Sequence, residues 1–223
     1  METAARGRPL TAPAVRARKG GEPLVMVTAY DAPSARVVDR AGADMILVGD
    51  SLAMVVLGYD DTLQVTTEDM AHHVGAVART RQRALVVGDL PWMSYHVSRE
   101  ETVRNAATLV RAGAGAVKLE GGRKRLDAIA AILDIEIPVM GHLGLTPQAI
   151  NKFGTYEVRA QTPAETYSCP VVASGVRLKE ERCYYDDSYK YSCSTRHGAS
   201  GSPLIRADTG ELFGVHNSGR PHK

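Results

Sequence analysis

The chain has 223 residues, 44% of them hydrophobic, and a formal net charge of +2. That length suffices for one large domain or a medium one with a small companion, and the near-neutral, interspersed charge excludes a nucleic-acid or membrane surface built on bulk charge. No apolar run approaches the roughly 18 residues of a bilayer span and the start carries no apolar signal region, so a cytoplasmic protein acting on small molecules is expected.

Residues 1–22 are rich in Arg, Ala, Pro and Gly and offer little to bury, which predicts a disordered arm. A transit peptide is the alternative, because the segment is Arg-rich and poor in acid, although it holds no clear amphipathic helix. From Pro23 onward a short apolar run repeatedly gives way to a polar residue or Gly and then to helical spacing, the mark of βα alternation. The predicted strands are Leu24 to Val27, Met45 to Val48, Leu85 to Val87, Ala116 to Leu119 and Ile137 to Met140, all nearly continuous in apolar character as buried parallel strands are. Helices are predicted over Ser34 to Ala41, Thr67 to Arg79, Arg99 to Ala112 and Arg123 to Leu133. Thr66-Thr67-Glu68-Asp69 and Ser98-Arg99-Glu100-Glu101 read as capping-box starts. Five βα units fit a doubly wound sheet or a (β/α)₈ barrel, and the spacing alone does not separate them.

In either fold, functional groups gather at the carboxyl ends of the strands. Gly49-Asp50-Ser51 follows the second strand, Gly88-Asp89 the third, Glu120-Gly121-Gly122 the fourth and Gly141-His142 the fifth. Strand alternation sends Lys118 and Glu120 to one side and Val117 and Leu119 to the other. Three carboxylates meeting at one mouth would repel each other unless a cation or bound protons offset them, and Mg²⁺, an oxygen-seeking ion that keeps several waters, suits that need. Alternatively each Asp caps the turn or helix that follows. Lys118 on a buried strand neutralises either Glu120 or an anionic substrate. His142 either takes part in acid–base chemistry or is a satisfied structural residue. His72 and His73 fall inside a predicted helix at no metal-binding spacing and read as surface or core residues.

Thr28-Ala29-Tyr30-Asp31, Leu47-Val48-Gly49-Asp50-Ser51, Asp89-Leu90-Pro91, Val117 to Gly122 and Gly141 to Gln148 stand in an order and at separations that resemble ketopantoate hydroxymethyltransferase, over about residues 24–160. The resemblance implies a (β/α)₈ TIM-type barrel, truncated after about five units, with Asp50, Asp89 and Glu120 around Mg²⁺ and with Asp50, Ser51, Asp89 and Lys118 binding substrate. It implies transfer of a one-carbon unit from 5,10-methylenetetrahydrofolate to 3-methyl-2-oxobutanoate, giving 2-dehydropantoate, with Lys118 and His142 as catalytic candidates. A homo-oligomer, decameric in the family, is implied as well. The family continues past Gly154 to Val158 into three further βα units, one of which supplies a glutamate regarded as the general base. Glu180 and Glu181 follow no matching strand, so the base is left unassigned. A barrel of five strands is expected to leave two open parallel edges, which puts hydroxymethyl transfer by the chain in question.

After Glu165 the text changes: five of the nine tyrosines and all three cysteines, Cys169, Cys183 and Cys193, fall in the tail. Alternating, turn-punctuated runs there predict short antiparallel strands, and a domain boundary is placed at 162–167, separating a barrel-like region over 23–166 from a β-rich segment over 167–223. The cysteines allow one disulfide and a spare thiol, or three free thiols. His197 to Leu204, followed by Gly210 to His216, resembles the nucleophile region of a chymotrypsin-like serine protease, which implies Ser200 as nucleophile. A protease fragment, or a catalytically inactive fusion or interaction protein, is therefore the alternative function.

Overall fold

The computed structural model describes residues 8–156 together with the backbone of two strands, Ser200–Ile205 and Leu212–Asn217. The barrel-like part opens with helix α1 (Ala12–Ala17) and strand β1 (Met26–Thr28). It continues through α2 (Ala32–Arg40), β2 (Met45–Val48), α3 (Leu52–Val55), α4 (Thr67–Thr80), β3 (Leu85–Asp89), α5 (Arg99–Ala112) and β4 (Ala116–Glu120). Then follow α6 (Leu126–Asp134), β5 (Val139–His142) and α7 (Ile150–Phe153), with β6 (Ser200–Ile205) and β7 (Leu212–Asn217) at the end. Strands β1 to β5 pair in sequence order and all in parallel.

The helix starts follow local chemistry. Asp31 caps α2 by accepting from the Ser34 N–H at 2.7 Å, Thr66 and Asp69 form a reciprocal capping box at α4, and the Ser98 hydroxyl accepts from the Glu101 N–H at 3.1 Å at the head of α5. Helix α5 ends on Gly113 at φ 117°, where a Cβ would stand 2.5 Å from that of Ala78. Only glycine suits both that left-handed conformation and that close approach.

Alternation along the strands divides the core in two. Ile46, Val48, Val86, Val117, Leu119 and Val139 pack under the helices against Val74, Val77, Leu109 and Ile132. Met45, Leu47, Leu85, Val87, Ala116 and Met140 form the opposite face and enclose Val15 of α1. Nearly complete burial on both faces accounts for the continuous apolar runs.

Four expectations change. Part of the segment read as a disordered arm is helix α1: Thr11 caps it, Val15 is buried, and the Leu10 N–H donates to the Arg83 carbonyl at 2.7 Å. Strand β5 begins two residues later than expected, after Pro138, which has no N–H to offer a ladder. The Arg123 to Leu133 helix divides into a single 3₁₀ turn, Arg123–Arg125, and α6. The edge of β5 is not open, since β7 lies parallel to it with Met140 opposite Leu212, and β7 pairs antiparallel with β6 as the alternation of the tail predicts.

Candidate active site

Strands β3, β4 and β5 end on Asp89, Glu120 and His142 respectively, and Asp50 lies two residues beyond β2. The polar residues expected just past the apolar runs are thus largely the last rungs of the ladder itself. Parallel register sets Asp89 beside Lys118 and Glu120 beside His142, and neighbours in register present their side chains to the same face. Both pairs are joined: Lys118 Nζ donates to Asp89 Oδ2, and His142 Nδ1 lies 2.9 Å from Glu120 Oε1. Asp50, Asp89, Lys118, Glu120 and His142 are all buried.

Two residues bind the cluster together. The Gln148 backbone N–H donates to Glu120 Oε2 at 3.0 Å, while its side-chain Nε2 donates to Asp50 Oδ2 at 2.8 Å and to the Leu90 carbonyl at 3.0 Å. Tyr95 accepts from the Glu120 N–H at 3.1 Å and donates to Gln148 Oε1 at 2.6 Å. Ser51 Oγ and Tyr30 Oη are 2.9 Å apart, and the Tyr30 carbonyl contacts His73 Nδ1 at 2.6 Å, which makes His73 a structural tie between α4 and the loop after β1. His72 is exposed.

Burial governs the protonation states. Asp50 is pushed well above the usual carboxylate range by burial and then by the charges of Asp89 and Glu120. Burial lifts Glu120 to about 8, with Lys118 opposing, and lowers His142 to about 3, with Lys118 adding to the effect. For Lys118, burial opposes the charge but the attraction of Asp89, Asp50 and Glu120 outweighs it, and the ammonium is held above its ordinary value. Burial thus favours the neutral forms of both Glu120 and His142, which share one hydrogen bond.

Two atoms in this region are buried without any partner, Asp89 Oδ1 and His142 Nε2. Buried polar atoms are almost always satisfied in native proteins, so the pair left open at the strand ends has capacity that a ligand, an ion or a water could take up.

Among the described residues no group of three or more His, Cys, Asp and Glu side chains is placed to hold an ion alone. Glu120 has both oxygens engaged, by His142 and by Gln148. The Asp50 N–H donates to Asp89 Oδ2 at 3.3 Å, the two carboxyls are near enough for the Asp89 charge to raise the Asp50 pKa, and Asp89 Oδ1 is unclaimed. Mg²⁺ asks for one or two carboxylates and takes its remaining oxygens from water and substrate, so these two aspartates fit it, and Glu120 fits as a neighbour of the ion.

Residues 10–179 match the family model of ketopantoate hydroxymethyltransferase. The chain belongs to this family. A 3-methyl-2-oxobutanoate hydroxymethyltransferase of Ignicoccus hospitalis is 63% identical over 147 residues, 66% of this chain and 56% of that protein. The corresponding Aeropyrum pernix protein is 54% identical over 155 residues, 70% of this chain and 57% of its own length. The chain therefore spans about half the length of the curated relatives it matches. Among solved structures, phosphonopyruvate hydrolase superposes with a TM-score of 0.53 at 17% identity, covering 71% of this chain and 67% of that one. Oxaloacetate acetylhydrolase superposes at 0.50 with 18% identity, covering 66% and 57%. These likenesses concern the fold, a (β/α)₈-type barrel of which five βα units are described here.

The family match starts upstream of β1, which brings α1 inside the region of resemblance, and it extends beyond the expected boundary at 162–167. These relatives lend the protease reading no support, and Ser200 is the first residue of strand β6. Glu180, Glu181 and the three cysteines lie outside the described residues. Tyr30, Tyr95 and Gln148 also belong to this network, although their residue types suggest no role for them. Tyr30 and Gln148 stand within the quoted motifs; Tyr95 had no local signal, because its importance comes from contacts with Glu120 and Gln148 far along the chain.

Proposed function

We propose that the chain carries the substrate-binding half of a hydroxymethyltransferase that moves a one-carbon unit from 5,10-methylenetetrahydrofolate to 3-methyl-2-oxobutanoate. The observation that carries this reading is the pair of unpartnered buried atoms, Asp89 Oδ1 and His142 Nε2, beside a buried ammonium at the strand ends. The family name and the relatives' names agree with it.

Each residue has a task in this reading. Asp50 and Asp89 would hold Mg²⁺ with Glu120 beside them, and the ion would supply Lewis acidity that acidifies the C–H next to the keto group of the 2-oxo acid. Lys118 provides the fixed positive charge that faces the developing oxyanion or the substrate carboxylate, in a buried setting where it acts more strongly than in water. Ser51, whose hydroxyl makes no capping bond to α3, hydrogen-bonds the substrate while Tyr30 fixes its rotamer. His142 presents its unpartnered Nε2 to a ligand atom.

The purified chain is expected to bind 3-methyl-2-oxobutanoate only with a divalent cation, read by calorimetry, and to lose that binding on Asp50→Asn or Asp89→Asn substitution. Oxo-acid binding indifferent to the cation and to both substitutions, or no binding at all, would reject the assignment. The implied homo-oligomer is checked by light scattering on the same preparation.

A further inference from the structure

We propose that Gln148 is a positioning residue for the cation-binding carboxylates, with its side-chain amide locked in a single orientation by the Tyr95 hydroxyl. The inference rests on the reading of Asp50 and Asp89 as the cation site and extends it to residues to which no role has been given.

A glutamine amide has one acceptor end and one end with two donors, and a half-turn exchanges them. Tyr95 has a single hydroxyl proton, and its oxygen already accepts from the Glu120 N–H at 3.1 Å. That proton goes to Gln148 Oε1 at 2.6 Å, the nearer choice over the Glu120 carbonyl at 3.3 Å. With Oε1 so committed, Nε2 faces the Leu90 carbonyl and Asp50 Oδ2, two acceptors for its two hydrogens. A flipped amide would set Oε1 against a carbonyl and a carboxylate and leave Tyr95 donating toward an amine. Gln148 and Tyr95 are both buried, so neither orientation error could be repaired by water.

The consequence falls on Asp50. Its Oδ2 is held by Gln148, while the Gln148 backbone N–H holds Glu120 Oε2. One residue thus orients the carboxylate just beyond β2 and the one that ends β4, from a turn that follows β5. Partners that orient metal ligands typically contribute 10–100-fold to metal affinity.

The test is Mg²⁺ titration of the full chain by calorimetry, with Mn²⁺ electron paramagnetic resonance as a second probe, in wild type, Tyr95→Phe, Gln148→Leu and the double variant. Expected is weakening of about 10-fold for Tyr95→Phe and 10–100-fold for Gln148→Leu, with the double variant no weaker than Gln148→Leu alone, because Tyr95 acts through Gln148. Unchanged affinity in Gln148→Leu, or losses that simply add, overturns the proposal. A metal-free readout accompanies it: the Gln148 side-chain amide protons should exchange slowly in wild type and at least about tenfold faster in Tyr95→Phe. That measurement decides the matter even if Gln148→Leu folds poorly, and rapid exchange in wild type would refute the lock. Wild type that binds no divalent cation, or binds it equally well as Asp89→Asn, would instead reject the cation site, an outcome distinct from loss of the amide lock.

Discussion

The two ends of the parallel sheet each hold a carboxylate paired with a cation, and they use the pair differently. At the amino end, Asp44 accepts from Arg18 at 2.5 Å, from Arg83 at 3.3 Å and from the Val25 N–H at 3.0 Å. Burial alone would raise its pKa, but the Val25 N–H and Arg18 outweigh burial and hold the carboxyl below its ordinary value. Its partners remain a third or more exposed, at 34% and 42%. At the carboxyl end, Asp89 and Lys118 are only 1% and 4% exposed, and one Asp89 oxygen is unpartnered. A carboxylate that has spent its bonding capacity ties strands together; one that keeps a buried oxygen unpartnered has capacity left for a ligand.

The largest test of that contrast is Lys118→Met. Removing the ammonium leaves Asp89 buried without compensation, and breaking such a pair costs about 3–5 kcal/mol, expected as a fall in the urea midpoint. A variant as stable as wild type would show that a proton or water replaces the ammonium without loss, and the carboxyl end would then differ less from the amino end than its burial implies.

The second test exploits the raised pKa of Asp50. Because the folded carboxyl keeps its proton to higher pH than usual, a cation must displace that proton, and binding should tighten as pH rises, by up to about tenfold per unit for each proton released. Calorimetry between pH 6 and 8 in buffers of different ionisation enthalpy counts the protons. Affinity independent of pH would place the cation elsewhere.

Asp44→Asn should be milder. Its arginine partners are partly solvated and the amide can still accept from Val25, so a loss of about 1–2 kcal/mol is expected by chemical denaturation. The smallest effect belongs to Arg99 and Asp134, paired at 2.6 Å on the surface with 58% and 69% exposure. Arg99→Ala should change stability by no more than about 0.5 kcal/mol, and a larger loss would point to a contact beyond the ion pair.

Much of this architecture is legible in the residues. Helix α5 falls on its predicted limits because Ser98 and Gly113 mark both ends chemically, and strand parity alone places Lys118 and Glu120 on one face. What the sequence conceals is relational. Nothing local says that Val15 has a pocket beneath the strands, so α1 reads as an arm. The pairing of Glu120 with His142 depends on register between β4 and β5, and the expected limits of β5 would have put His142 beyond its end. Gln148 is uninformative as a letter, since its role consists of four bonds to groups from three other parts of the chain.

Helix α1 has a practical bearing on how this protein is handled. Trimming the chain to the first strand, a natural choice when the leading residues look dispensable, would withdraw Val15 from Met45, Leu85 and Met140 and strip Asp44 of Arg18. The shortened product should aggregate through the greasy underside so uncovered, and a purification handle is better joined through a spacer ahead of Leu10 than spliced in place of the helix.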